Sequence, residues 1–269
     1  MAAKPRLILV LGMHRSGTSA FAGVLQELGV RFGWMRRPGD ERRVTGAHKP
    51  RRNAFNPRGN RENRELRWLH DELLERAGGS WWQPPGPVSV EDADRAKRDE
   101  VLASFEGDPI AVKDPRLLLV LDLWRDLEPS LIGVIRNPVA VRESLDRRAG
   151  KRKPRQRRGR QTPEPTLEGD DWERLWCEYN QLMLDEHERA PFPIVDFDRA
   201  AELPTQARDA LRFHGIEPSG RSAFFDPDLA SEIGGDWRRH ALRPQSVELW
   251  DRLSGMAISP AEREREAKR

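Results

Sequence analysis

The sequence predicts an α/β protein of three layers, with helices on both faces of a central, mostly parallel sheet. Two stretches carry that prediction: within RLILVLG at 6–12 and LIGVIRNP at 131–138, the runs LILVL and LIGVI are apolar without alternation, and each leads through a glycine or polar corner into a segment with helical spacing. A strand that is apolar at every position is buried on both faces, as in a parallel sheet covered by helices. In such sheets ligands collect at the carboxyl ends of the strands.

The elements follow in order. After RLILVLG and its glycine loop, SAFAGVLQELGV has helical periodicity and stops near Gly29. Residues 33–60 are rich in Arg, Gly, Pro and Asn and read as a long loop or lid, after which RENRELRWLHDELLERAG is a helix closed by Gly78. A charged helix is expected over 90–105 and a short buried strand in PIAVKDPR. LLLVLDLWRDL reads as a helix, although its leucines would also suit a strand. LIGVIRNP is the second strong strand, and Pro138 fits the first turn of the helix VAVRESLDRR. WERLWCEYNQLMLDEHERA is a helix and PFPIVDF a strand; helices at 199–214 and 244–255 complete the pattern. The chain reads as one domain, 1–269, with a basic and then acidic loop at 151–170 and a charged tail at 256–269.

Charge excludes the bluntest functional reading. The 47 Lys and Arg are nearly matched by 44 Asp and Glu, for a net charge of +3, so any anion site depends on local placement. Cys177 is the only cysteine, which rules out an internal disulfide and leads to the expectation of a reducing, cytoplasmic setting without a metal site. The first apolar run is about six residues, against the roughly 18 to 20 of a membrane-spanning helix, and no small-residue cleavage site follows it. No membrane insertion is expected.

The chemistry starts at GMHRSGTS, residues 12–19. Gly12 and Gly17 permit a tight turn that aims backbone N–H groups and a helix N-terminus at an anion. The ordinary phosphate loop continues with a lysine for the β- and γ-phosphates and a hydroxyl for magnesium. Here Thr18 and Ser19 follow Gly17, and the cation, Arg15, lies inside the loop. Nucleoside triphosphate chemistry is therefore disfavoured, and transfer from a phosphate-like donor without an obligatory metal is favoured.

At this point the sequence resembles the sulfotransferases that use 3′-phosphoadenosine 5′-phosphosulfate (PAPS), in particular the bacterial branch whose first loop looks like GMHRSGTS. The resemblance implies the phosphate-loop-like sulfotransferase fold, PAPS as co-substrate and 3′,5′-adenosine bisphosphate (PAP) as product. It implies that Arg15 contacts the 5′-phosphosulfate and that Gly12, Ser16, Gly17, Thr18 and Ser19 cradle the 5′-phosphate. The second family motif, an arginine at a strand end and a serine eight residues later, is similar to Arg136 and Ser144, which would hold the 3′-phosphate. Weaker similarity runs through NPRGNREN, VKDPRL, WCEYN and IVDFDR. A loop closing over the 3′-phosphate near the C-terminus is matched by GGDWRRH, which makes Arg238 and Arg239 candidates.

Sulfuryl transfer needs cations for the leaving phosphate and a base for the acceptor. The resemblance of NPRGNRE to the NPxGxxE of related bacterial sequences implies Glu62 as the first choice of base, with a helix-start carboxylate as the plain alternative. Asp114 is the second, with a structural ion pair before Pro115 as its alternative. His14 is a third, or else its ring only packs; Lys113 and Arg116 either add cations to the site or pair with neighbouring carboxylates, and His48 lies in the expected lid. Trp34, Trp81, Trp82 and Trp237 fall in loops, where they stack on adenine, line an acceptor pocket or join the core.

The run KRKPRQRRGR at 151–160 reads as a solvated loop or an attractor of anionic acceptors, lipid headgroups or RNA. No aromatic interleaves it, and nothing resembles a nucleic-acid module, so no nucleic-acid partner is expected. The expected activity is sulfuryl transfer to a hydroxyl or amine of a small-molecule or carbohydrate acceptor. The alternatives are an atypical phosphate-loop kinase and a non-catalytic protein of this fold that docks an anionic polymer.

Overall fold

β1 (Leu7–Leu11), β2 (Ile110–Lys113), β3 (Ser130–Ile135) and β4 (Ile194–Asp196) form one sheet in the order β2-β1-β3-β4 in the computed structural model. All neighbours pair in parallel, with Val10 opposite both Lys113 and Ile132. The structure describes residues 5–33, 61–150, 170–224 and 237–258. The central position of β1 accounts for its unbroken apolar sequence: all five residues are buried.

Alternate residues of the strands face two cores. Leu9, Leu11, Val112 and Ile135 join the first, with leucines of α2 (Arg64–Arg76), Trp176, Tyr179 and Met183 of α5 (Asp171–Arg189), and Leu249 and Leu253 of α7 (Pro244–Gly255). Ile8, Val10, Ile132 and Val134 face the second, with Phe21 and Leu25 of α1 (Thr18–Glu27) and Ala207 and Leu211 of α6 (Leu203–Phe213). These are the three expected layers. Fully burying one such side chain contributes about 1.5–3 kcal/mol, so the paired cores dominate the stability of the sheet.

Local sequence explains the helix starts. Asn63 caps α2, its side chain accepting the N–H groups of Glu65 at 2.9 Å and Leu66 at 3.0 Å. Glu91 and Asp94 form a capping box at the start of α3 (Asp92–Leu102). Pro138 opens α4 (Pro138–Gly150), where its missing N–H costs nothing.

Two segments differ from expectation. LLLVLDLWRDL is not a helix; it lies within three short 3₁₀ turns, Pro115–Leu119, Leu121–Leu123 and Arg125–Leu127. Leu117, Leu118, Leu121, Leu123 and Trp124 are all buried there, whereas an α-helix would point some of these leucines outward. Asp114 tightens the first turn by accepting the Arg116 N–H at 3.0 Å, and the buried Arg98 of α3 donates to the Leu123 carbonyl. The helix expected from 199 begins at Leu203, because Phe197–Glu202 forms a 3₁₀ turn interrupted at Arg199.

Candidate active site

Gly12 leaves β1 with φ 145°, and a Cβ there would stand 2.5 Å from the Val134 carbonyl oxygen. The loop is thus pressed onto β3 at a position only glycine fits. Arg15 has φ 72°, a strained value for a residue with a side chain, and Gly17 has φ 88°. A Cβ on Gly17 would lie 2.2 Å from the ring of Phe197, which walls the loop from the β4 side. Gly17 occupies the N-cap of α1 without a side-chain cap, and no acidic residue stands in the first turn. The helix start therefore keeps its positive end for an anion. Ser16 Oγ is buried and has no hydrogen-bond partner among the described residues, an orphan that a bound anion would satisfy.

The second wall comes from β3 and α4. Arg136 follows the last residue of β3, is 5% exposed, and donates from Nη1 to the Arg15 carbonyl at 3.3 Å. Its guanidinium stands 5.3 Å from the centroid of Phe197, and its own carbonyl accepts Trp176 Nε1–H at 3.0 Å. Burial pulls its proton affinity down, and the Asp198 carboxylate opposes that. Arg15 Nε donates to Ser144 Oγ at 2.8 Å. The two motifs that the sequence separates by more than a hundred residues therefore meet atom to atom.

The third wall comes from β2 and the start of α2. Lys113 is 2% exposed, and its Nζ donates to Ser19 Oγ at 2.9 Å and to Glu62 Oε1 at 2.8 Å. Arg61 braces the same corner through Gln26 Oε1 at 3.0 Å and the Ser19 carbonyl at 3.4 Å. Asp114 turns the other way, into a buried network. His70 Nδ1 lies 3.0 Å from its Oδ2 and Arg116 Nη1 3.0 Å from its Oδ1, while Arg116 Nε reaches Asp71 at 2.5 Å. An ionised carboxylate only accepts, so Nδ1 is the protonated nitrogen of His70. Burial works to raise the Asp114 carboxyl, yet the Arg116 charge and the His70 hydrogen bond hold it well below the usual carboxylate range. That network locks α2 to the end of β2 and so sets where Glu62 meets Lys113.

The other expected residues fall as follows. The His14 ring packs tilted by 40° against Trp81 with centroids 4.0 Å apart, and the Trp81 carbonyl accepts the Tyr179 hydroxyl at 2.7 Å. Thr18 is buried and opens α1. Arg238 pairs with Asp251 of α7, and Trp237 packs edge-on against Trp250. Cys177 is buried beside Ser246 Oγ at 3.2 Å, where burial raises its thiol. Trp34, His48, the basic run 151–160 and the residues 234–236 lie outside the described residues.

Three participants had weak signals. Lys113 reads in the sequence only as a further cation of the site or a partner of a neighbouring carboxylate, and a lysine ending a buried strand is costly unless paired. Phe197 and Asp198 lay in a stretch singled out only by resemblance. Among the described residues no helix is long and apolar enough to cross a membrane.

No family model matches the sequence, and no curated protein does. Solved structures do. The sulfotransferase domain of the olefin synthase of Synechococcus PCC 7002 superposes with a TM-score of 0.50 at 18% identity, over 94% of this chain and 96% of that one. The sulfotransferase domain of the curacin biosynthetic pathway gives 0.47 at 13% identity, over 96% and 100%. A sulfotransferase from Alicyclobacillus acidocaldarius gives 0.45 at 15%, over 95% and 93%. The first of these, with the all-parallel sheet, assigns the chain the sulfotransferase fold.

Proposed function

We propose, from the sulfotransferase fold as premise, that this protein moves a sulfuryl group from PAPS to a hydroxyl or amine of a small-molecule or carbohydrate acceptor. The observation that carries the reading is the convergence of the phosphate loop with Arg136 and Ser144, through the Arg15–Ser144 bond of 2.8 Å and the Arg136 contact to the Arg15 carbonyl at 3.3 Å. A nucleotide with phosphates on both the 3′ and the 5′ oxygen of its ribose matches two anion sites joined in this way. The orphan Ser16 hydroxyl and the uncapped start of α1 fit its 5′ end.

When bound, PAPS would supply the activated sulfuryl group. The residues divide the remaining work. Gly12, Ser16, Gly17, Thr18 and Ser19 hold the 5′-phosphate through backbone and hydroxyl donors. Arg136 and Ser144 hold the 3′ end, and Arg15, bonded to Ser144, contacts the 5′-phosphosulfate. Lys113, fixed on Ser19 and Glu62, stands where the missing loop lysine would act and faces the charge that develops on the leaving phosphate. Glu62 takes the acceptor proton, for which one oxygen is held by Lys113 and the other remains to accept it. Asp114, with both oxygens engaged by His70 and Arg116, serves to position that pair. A buried lone cysteine suits a cytoplasmic setting.

Calorimetric titration with PAP, compared with ADP plus magnesium, tests the donor. Tight PAP binding that weakens by about 1.5–3 kcal/mol in Arg136→Ala, the size of a charge-assisted contact, is expected. Equal binding of ADP with magnesium, or no binding of PAP, would overturn the reading.

A further inference from the structure

Asp198 stands two residues beyond β4, at the carboxyl end of the sheet. Its Oδ2 accepts the Asn137 backbone N–H at 3.2 Å and Asn137 Nδ2 at 2.9 Å. Its Oδ1 is buried and has no hydrogen-bond partner among the described residues. A half-solvated carboxylate is costly inside a protein, and the remedy is either a donor or a proton.

The charges around it leave the choice close. Arg136, at the end of β3, favours the ionised form; Asp196, whose Oδ1 accepts the Asp198 N–H at 2.9 Å, disfavours it. Arg199 on the same segment is engaged with Asp196 at 3.4 Å. From α4, Glu143 and Arg147 act on Arg136, and α1 presents no acidic residue in its first turn. Burial, the largest influence, pushes the Asp198 carboxyl up to about 6, against the opposing Asn137 hydrogen bonds.

We propose that docking of a 3′-phosphate on Arg136 is coupled to uptake of a proton by Asp198, so that nucleotide affinity depends on pH through a residue that lies beside the phosphate site. This rests on the donor reading above. A phosphate on Arg136 neutralises the cation that favours the Asp198 carboxylate and adds negative charge next to it. Protonation removes that repulsion and converts Oδ1, the atom without a partner, into a possible hydrogen-bond donor.

The sign follows from linkage. Below about pH 6 the carboxyl is neutral with or without ligand, and no coupling is present. Between that value and the higher one of the bound form, the bound form holds the proton and the free form does not. Affinity then falls as pH rises, by at most about tenfold per pH unit for one linked proton. The ligand's own phosphates titrate near pH 6 and favour the opposite direction when they meet cations, so pH 7.5 isolates the protein's contribution.

The experiment is calorimetric titration of the full chain with PAP at pH 7.5 in two buffers of different ionisation enthalpy, which reads the protons taken up. About half a proton or more per ligand is expected for wild type. Asp198→Asn, which keeps an oxygen for Asn137, should lose that uptake and bind PAP as well or better at pH 8. His14→Gln should retain it, which separates Asp198 from the imidazole nearest the loop. Zero uptake in wild type, or uptake kept in Asp198→Asn and lost in His14→Gln, overturns the inference while leaving the donor reading intact. Absence of PAP binding at every pH in wild type overturns both.

Discussion

Lys113 Nζ donates to Ser19 Oγ at 2.9 Å, across the boundary between β2 and the first turn of α1. The glycine loop has Thr18 where a phosphate loop ordinarily has its lysine, and a lysine from the neighbouring strand reaches the hydroxyl next to it. Parallel pairing makes this possible, because Lys113 is opposite Val10, two residues before Gly12. The lysine that the loop lacks locally is thus available through the sheet.

Lys113→Met should therefore affect turnover more than nucleotide binding. If Lys113 faces charge that develops only during transfer, PAPS turnover, followed as PAP release, should fall by about 10²–10³-fold. The PAP affinity should change far less. A matched loss in both quantities would instead make Lys113 a simple ground-state contact.

Ser144→Ala should weaken PAP binding by about 0.5–1.5 kcal/mol, the net value of one neutral hydrogen bond, and Arg136→Ala by more, because a charge is lost with it. Titration calorimetry on both variants gives the ranking. Equal losses would contradict the assignment of the guanidinium as the main anchor.

Asp114→Asn should destabilise the fold by about 3–5 kcal/mol, since it leaves Arg116 buried with half of its counter-charge. Urea denaturation at neutral pH measures this. The pH dependence has a definite sign: the folded carboxyl lies below its unfolded value of about 3.9, so its stabilisation is full above that value and is lost as pH falls further. Wild type should lose stability steeply below about pH 4, and the variant less steeply.

Gly12→Ala should cost both stability and PAP binding. The added methyl would stand 2.5 Å from the backbone oxygen of Val134, which cannot rotate away, and φ 145° is unfavourable for alanine. Gly78→Ala, with φ 81° and nothing within 4 Å, separates conformational strain from collision. Thermal unfolding of the two should show the larger drop for Gly12→Ala.

Cys177 is 7% exposed and its thiol is raised by burial, so the native protein should react with a thiol reagent only as fast as it opens. Absorbance on adding an aromatic disulfide, with and without urea, checks this. Fast native labelling would mean that α5 and α7 separate readily.

The sequence by itself determined the features whose physical cause is local. The apolar runs at 7–11 and 131–135 read as strands buried on both faces, and Gly12 and Gly17 as a tight loop before a periodic helix. Arg136 and Ser144 were visible as a strand end and a helix position. Tertiary structure decided what depends on distant partners. LLLVLDLWRDL has helix-forming leucines, yet the demand to bury most of them at once bent it into 3₁₀ turns. Arg15 meets Ser144 across 129 positions, and Phe197 fills the space that Gly17 leaves open. Lys113 and Glu62 pair because α2 is locked to β2 by a buried ion network, and no periodicity announces such a lock. Local pattern follows from hydrogen bonding and side-chain period along the chain, while the meeting of charges follows from how the layers pack, which is fixed only when the whole core closes.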